Sequence, residues 1–154
     1  MNLTTCQICG RNIKTVRGAI ALHGYRRPGQ GWQTSSCPGA RWQPYEVACD
    51  ALRPAIITTQ GGLTRVQGLL AGAPPETLVR PGVTRFAMIQ VQRPEGFDPA
   101  NPGYDVNVRG SYAQLFVNWR ANLVREEADM RATIAYLEQR LSAWRAPAAR
   151  EVGA

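Results

Sequence analysis

The chain has 154 residues, of which 44% are hydrophobic and 19% charged, with a net charge of +7. This composition is typical of a globular domain, its apolar runs are far shorter than the roughly 20 residues of a membrane-spanning helix, and residues 1–6 lack the basic and apolar segments of a secretory signal. These features exclude a membrane protein, a collagen-like chain and a Sec-exported precursor, and they predict a soluble cytoplasmic protein.

The positive charge is concentrated near the N-terminus. Residues 1–45 contain six basic residues and no Asp or Glu, whereas residues 46–154 contain 12 Arg and 11 acidic residues. A surface of one sign attracts polyanions, of which nucleic acid is the commonest. The alternative is that these arginines balance the negative charge of metal-bound thiolates.

The four cysteines, Cys6, Cys9, Cys37 and Cys49, lie in the first third of the chain, where clustering favours a metal site over disulfides. Two residues separate Cys6 from Cys9, as in a zinc knuckle, and the glycine after Cys9 allows a sharp turn beneath two converging thiolates. Cys37 lies in a turn-forming segment and is the third predicted ligand. The fourth ligand is either His23, the only histidine, or Cys49. The set predicts structural Zn²⁺.

A catalytic zinc site is not indicated by the sequence. Such a site keeps one coordination position open and needs a nearby general base, and residues 1–45 contain no carboxylate. The metalloprotease and zinc-deaminase motifs are absent as well. The sequence therefore predicts a protein that is not an enzyme.

Basic and aromatic residues alternate within the N-terminal segment, a pattern that favours contacts to phosphates and to unpaired bases. The alternative role for the tryptophans is to fill the small core of a metal module. The candidate nucleic-acid-binding residues are Arg11, Arg17, Arg26, Arg27, Trp32 and Arg41.

The first half of the chain contains three predicted elements. Ile13 to Leu22 is expected to form a short hairpin around Arg17-Gly18, and Gly24 to Gly31 is expected to be a loop. Residues 53–72 have apolar spacing typical of a helix that is interrupted or frayed at Gly61-Gly62.

The second half begins with a β-hairpin predicted over residues 76–92, with its turn at Arg80-Pro81-Gly82 and its longer strand from Val83 to Gln92. Residues 93–110 are rich in Pro and Gly and are expected to be a loop or linker. Residues 111–144 contain no Gly or Pro and begin with Ser111, a plausible N-cap, so they predict one long helix or two shorter ones. The heptad-like apolar seam of this segment needs a partner, either residues 53–72 or a second copy of the chain.

The resulting fold class is α+β. A small N-terminal zinc-knuckle module precedes a β-hairpin and a long C-terminal helix, which forms a coiled-coil or helical-hairpin arm. The predicted divisions are residues 1–52 for the basic zinc module, 53–110 for the helix, hairpin and loop, 111–146 for the long helix, and 147–154 for a tail.

The chain resembles a set of small uncharacterised proteins encoded by phages and prophage-like elements. Cys6-Gln7-Ile8-Cys9-Gly10-Arg11, His23-Gly24-Tyr25-Arg26-Arg27-Pro28-Gly29, Ser36-Cys37-Pro38-Gly39-Ala40 and Pro44-Tyr45-Glu46-Val47 carry the resemblance. It implies that Cys6, Cys9, His23 and Cys37 form one ligand set, and that the protein works in the cytoplasm of a bacterial host. It implies no particular activity.

The leading functional hypothesis is a zinc-stabilised accessory protein that binds nucleic acid through its basic module. An alternative is an effector that docks onto a host machine, such as RNA polymerase or a defence nuclease, including a CRISPR effector. A further alternative is a virion or assembly component that self-associates, with residues 111–144 as the homodimer contact. None of these hypotheses involves a membrane.

Overall fold

The computed structural model describes residues 3–26, 33–82 and 88–146. In chain order, the elements are β1 (Leu3–Thr5), β2 (Asn12–Val16), β3 (Ala19–Ile20), β4 (Gly24–Arg26), β5 (Gln33–Ser36), α1 (Leu52–Ala71), β6 (Thr77–Pro81), β7 (Met88–Gln92), a 3-10 turn (Tyr104–Asn107) and α2 (Tyr112–Ala143). The strands pair antiparallel as β1-β2-β3, β4-β5 and β6-β7. The predicted α+β class, with small sheets and a long C-terminal helix, is confirmed.

The chain forms two compact units, and each contains part of both helices. The first comprises the described parts of Met1–Leu63 and Asp129–Ala154, and the second is Thr64–Ala128. The predicted divisions follow the chain in order, whereas the first of these units combines two segments that are distant in the chain. The predicted tail, residues 147–154, lies outside the described residues.

The hairpin around Arg17-Gly18 forms as predicted. Val16 pairs with Ala19, so Arg17 and Gly18 are the two turn residues, with φ of 53° and 81°. Positive φ at both positions defines the turn type that matches the twist of paired strands. The neighbouring expectation of a loop from Gly24 was wrong at its start, because Gly24–Arg26 is strand β4 paired with β5. The rest of that loop, residues 27–31, lies outside the described residues.

Helix α1 runs through Gly61 and Gly62 without a break, so the predicted interruption was wrong. A glycine inside a helix costs only about 1 kcal/mol relative to alanine, which tertiary packing readily offsets. A Cβ on Gly62 would lie 3.1 Å from Met130 Cε. The absence of a side chain at this position therefore lets α2 approach α1 closely.

The hairpin of residues 76–92 is confirmed, but the predicted turn at Arg80-Pro81-Gly82 was wrong. Arg80 and Pro81 belong to β6 and pair with Ile89 and Met88. Proline lacks an N–H but still fits the end of a two-stranded ladder. Within the predicted strand from Val83 to Gln92, Met88–Gln92 is strand β7, and residues 83–87 lie outside the described residues.

Helix α2 is one continuous helix of 32 residues, about 48 Å long at 1.5 Å per residue. Ser111 is its N-cap, since its Oγ accepts the Gln114 N–H at 3.1 Å. No helix among the described residues is both long and apolar enough to cross a lipid bilayer.

In the first unit the apolar seam of α2 packs against α1. Leu52 and Ile56 share a core cluster with Leu137 and Ile134, while Gly62 lies beside Met130. Residues further along α1 contact residues earlier in α2, so the two segments are antiparallel. In this unit, α1 therefore covers the apolar seam of α2, and the two segments form a helical hairpin.

The second unit has an aromatic core of its own. Leu78 of β6 packs with Tyr112 and Phe116 of α2, and partly buried Phe97 and Trp119 complete the cluster. Phe97 meets Tyr112 and Phe116 edge-on, with ring centroids 4.9 and 5.2 Å apart. Such edge-to-face pairs add to the energy of apolar burial.

Candidate metal centre

The turn after β1 places the first two cysteines. The Cys6 N–H donates to the Arg11 carbonyl at 2.9 Å, and the Gly10 N–H donates to the Cys6 carbonyl at 3.0 Å. Gly10 has φ of 70°, which an L residue rarely adopts, and a Cβ there would overlap the Tyr136 hydroxyl. The glycine predicted to allow this turn is therefore required both by backbone conformation and by close packing.

The turn after β5 places the third cysteine against the first two. The Cys37 N–H donates to the His23 carbonyl at 2.9 Å, and the Ala40 N–H donates to the Cys37 carbonyl at 3.1 Å. Gly39 lies directly over the Cys6 side chain, and a Cβ at this position would collide with the Cys6 sulfur. The two cysteine-bearing turns are thus held face to face.

Four potential ligand atoms converge at this point. The Sγ atoms of Cys6, Cys9 and Cys37 and a ring nitrogen of His23 all lie within 4.8 Å of one another. Cys6 and Cys37 have their sulfurs 3.8 Å apart, and Cys9 Sγ lies 3.3 Å from His23 Nε2. Tetrahedral zinc, with bonds of about 2.3 Å to sulfur and 2.0–2.1 Å to nitrogen, places ligand atoms about 3.6–3.8 Å apart. The group therefore has the size of a single-ion site.

His23 is oriented for ligation through Nε2. Its Nδ1 lies 2.8 Å from the Ala21 carbonyl, which fixes the proton on Nδ1 and leaves the Nε2 lone pair directed toward Cys9. Cys49, the alternative fourth ligand, is not part of the converging group and instead packs, partly buried, against the core that contains Leu52 and Ile56. The structure brings together Cys6, Cys9, His23 and Cys37.

Crowding of the thiols perturbs their ionisation. Hydrogen bonds from the thiols of Cys37 and Cys6 strongly lower the pKa of Cys9. The contacts of Cys37 with Cys6 and Cys9, together with burial, strongly raise the pKa of Cys37. Three thiolates this close repel one another, so full ionisation needs a compensating positive charge. A bound divalent cation would supply that charge.

Two residues that sequence reasoning did not identify support the cysteine turn. Gln7 is fully buried, and its amide donates to Gln43 O at 2.8 Å and Asp50 Oδ1 at 2.9 Å while accepting the Ala51 N–H at 2.8 Å. Both the amide nitrogen and the amide oxygen of this buried side chain therefore have hydrogen-bond partners. No sequence signal separates Gln7 from an ordinary exposed residue of a knuckle.

The second such residue is Arg140, near the C-terminal end of α2. Its Nε donates to the Gln7 carbonyl at 2.9 Å and its Nη2 to the Cys6 carbonyl at 3.2 Å. Its guanidinium lies 4.1 Å from the centroid of the Tyr45 ring, and the Tyr45 hydroxyl donates to the Arg140 carbonyl at 2.6 Å. In the sequence, Arg140 looks like one more charged residue on a helix face.

The predicted nucleic-acid-binding residues divide into three groups. Arg11 turns inward, donating from Nη2 to the Gly24 carbonyl and lowering the pKa of Cys9 through further hydrogen bonds. Arg17 and Arg41 are exposed. The side chain of Arg26 and the whole of Arg27 and Trp32 lie outside the described part of the chain.

Arg17 and Arg41 share an uncommon backbone conformation. Their φ angles are 53° and 71°, in the left-handed region where glycine is favoured. A residue with a side chain costs of order 1 kcal/mol or more in this region. Lys14, on the exposed face of β2, adds a third basic side chain to the same unit.

The first unit also contains an open, mainly apolar cavity of about 590 Å³. Its lining includes Ile8, Trp42, Ala55, Thr58, Met130 and Leu137. Trp42 is 38% exposed, so it serves only in part as core filling.

The four converging ligand atoms are compatible with a metal site, and they are the most distinctive chemical feature of the described residues. No protein-family model, curated protein or solved structure matches the chain.

Proposed function

We propose that Cys6, Cys9, His23 and Cys37 hold one structural Zn²⁺, and that the module stabilised in this way binds the phosphate backbone of nucleic acid. Three thiolates and one imidazole form a donor set that suits zinc, and four protein ligands fill a tetrahedron without an open position. The observation that carries the metal assignment is the convergence of these four atoms within 4.8 Å.

The placement of the arginines supports nucleic-acid binding over charge balance. A site with three thiolates, a neutral imidazole and Zn²⁺ has a net charge of −1, which the inward-facing Arg11 already offsets. Arg17 and Arg41 are exposed, and both occupy a backbone conformation that glycine would adopt at lower cost. Arginine at a position where glycine would cost less is expected when its side chain makes contacts outside the chain.

The binding predicted from this surface is independent of sequence and sensitive to salt. Arginine side chains that neutralise phosphates release counterions, so affinity falls steeply as the salt concentration rises. Arg26, Arg27 and Trp32 remain predictions from the sequence. The phage or prophage origin suggested by the resemblance is consistent with an accessory role on nucleic acid and is likewise a proposal.

Glycine substitutions test this surface without straining the fold. Arg17→Gly and Arg41→Gly remove a charge and relieve a left-handed backbone, so stability should hold or rise slightly. Affinity for a single-stranded oligonucleotide, measured by fluorescence anisotropy over a range of salt concentrations, should fall. Each variant should reduce the magnitude of the salt slope by about 0.7.

Arg53→Gln is the matched control, because Arg53 is exposed in the same unit and lies outside the candidate set. The salt dependence of its oligonucleotide affinity should match that of the unmodified protein, apart from a small effect of the lower net charge. Absence of salt-dependent binding by the unmodified protein, or equal losses in Arg53→Gln, would overturn the nucleic-acid assignment and leave the metal assignment intact.

A docking effector is the second candidate function, and the open cavity that contains Trp42 favours it. The cavity is large enough for several apolar side chains of a protein partner. A partner docked there should stay bound in high salt after nuclease treatment, should be lost with Thr58→Arg, which would obstruct the cavity, and should be retained by Arg17→Gly. The reverse pattern would favour the nucleic-acid surface.

A further inference from the structure

The second unit contains a separate cavity of about 430 Å³ where the end of β6 meets the start of α2. Its lining includes Arg80, Pro81, Arg109, Gly110, Gln114 and Leu115. Two of these residues are arginines, and no carboxylate lines the cavity among the residues that the structure describes. The cavity is therefore cationic.

Arg80 is held in place rather than free on the surface. Its side chain lies across Gly110, where an added Cβ would be 3.0 Å from Cδ and 3.1 Å from Nε. Gly110 has φ of 81°, so glycine is required at this position for its conformation as well as for space. The Nε of Arg80 is buried and has no hydrogen-bond partner within the described ranges.

The start of α2 makes the positive charge of the two cavity arginines still less favourable. The N-terminal end of a helix has a partial positive charge, which acidic residues normally complement and basic ones oppose. The first turn of α2 contains no acidic residue, while Arg80 and Arg109 line the cavity beside it. A bound anion would remove this conflict.

We propose that this cavity binds a phosphate group. Guanidinium groups match phosphate oxygens in bidentate geometry, and helix N-termini favour the same ligand. A volume of about 430 Å³ falls in the range of small-molecule sites, about 300–1,000 Å³, and exceeds what a lone phosphate fills. The ligand class is accordingly a phosphomonoester, either of a small molecule or at the 5′ end of a nucleic acid. The proposal does not depend on the zinc-module function, because its residues all belong to the other unit.

Calorimetric titration of the full chain with a nucleoside 5′-monophosphate, at an ionic strength held constant with chloride, tests the site. Binding should saturate at one equivalent. Arg109→Gln should weaken it by about tenfold or more, because a charge-assisted contact is lost. Arg109 is exposed, so this variant should fold; Arg80→Gln should weaken binding at least as much, provided that its circular dichroism spectrum is unchanged.

Arg120→Gln is the matched control, since Arg120 is an exposed arginine of α2 in the same unit that does not line the cavity. It should bind within about twofold of the unmodified protein. Absence of saturable binding, equal weakening in Arg120→Gln, or equal binding of the unphosphorylated nucleoside would each overturn the proposal.

Two further probes separate the sources of the phosphate. Inorganic phosphate and a 5′-phosphorylated oligonucleotide are titrated under the same conditions, beside the oligonucleotide without its 5′-phosphate. Tighter binding of the mononucleotide identifies a small-molecule ester as the ligand. Tighter binding of the 5′-phosphorylated strand, dependent on Arg109, identifies a nucleic-acid end.

Discussion

The two units of this chain are stabilised by different chemistry. In the first unit, candidate metal ligands, backbone hydrogen bonds and two long polar side chains, Gln7 and Arg140, hold the cysteine turns against the apolar core of the helical hairpin. In the second, aromatic rings of a loop and of α2 pack with aliphatic side chains of the β6-β7 hairpin to form the core, with no metal-binding group among its described residues. The cysteine turns are short segments that would need the proposed metal ion to hold their fold, whereas a cluster of large rings does not. The two units should therefore respond independently to metal loss and to core truncation.

Removing a ligand should have the largest effect. Cys9→Ser should release the metal and unfold the turns of the first unit, because structural zinc supplies about 10–16 kcal/mol in comparable small modules. Hydrogen exchange should accelerate in residues 3–26 and 33–52, while the aromatic core around Phe116 stays protected.

Cys49→Ser is the matched control for that experiment. Cys49 lies outside the ligand group, so this variant should keep stoichiometric zinc and lose only about 1 kcal/mol of stability. Unchanged melting and full metal content in Cys9→Ser would contradict the structural-zinc assignment.

Truncating the aromatic core should give the opposite pattern. Phe116 is 3% exposed and packs against three other rings, so Phe116→Ala should cost about 3–5 kcal/mol in the second unit. Zinc content, measured by a colorimetric chelator, should be unchanged. Val117→Ala, at an exposed neighbouring position, should cost far less, and a loss of zinc in Phe116→Ala would show that the two units are not independent.

An intermediate effect is expected at Arg140, which links α2 to the cysteine turn. Arg140→Gln removes two hydrogen bonds to the carbonyls of Gln7 and Cys6, so metal affinity should fall by about 10–100-fold. Competition with a chelator of known affinity measures this change. Arg145→Gln, five residues further along, should leave metal affinity unaltered, and equal losses in both variants would point to net charge instead.

The smallest effect should come from the paired glycines of α1. Gly61 has open space around its Cα, so Gly61→Ala should stabilise the protein by about 0.5–1 kcal/mol through helix propensity. Gly62→Ala gains the same propensity but must displace the end of Met130, so its net gain should be smaller. Equal gains in thermal melting would mean that α1 and α2 are not in close contact at this point.

Local chemistry explains which features could be predicted from the sequence. The Cys6-Cys9 spacing, the Arg17-Gly18 turn and the Ser111 cap each depend on neighbouring residues, and the fold contains all three. The grouping of His23 with the cysteines followed from the resemblance and from its position between ligand segments. Cys49 stayed an open alternative because spacing alone cannot show which of two residues faces the ion.

Features that depend on distant packing were missed. Gly61-Gly62 looked like a helix break because local propensity cannot register a helix passing beside Met130. Arg80-Pro81 looked like a turn because proline is common there, yet both residues pair within the ladder. The inward turn of Arg11 and the roles of Gln7 and Arg140 likewise require knowledge of what lies across the fold.

The contact between Arg140 and the Gln7 carbonyl joins residues separated by 133 positions, and it bears on synthesis of the protein. During translation, all four ligand residues have been made about a hundred residues before Arg140 is added. At about 5–20 residues per second, this interval lasts roughly 5–20 s. If these residues bind the metal as proposed, they must be protected from oxidants and competing metals during this interval, because Arg140 reaches the cysteine turn only after the rest of the site has been synthesised.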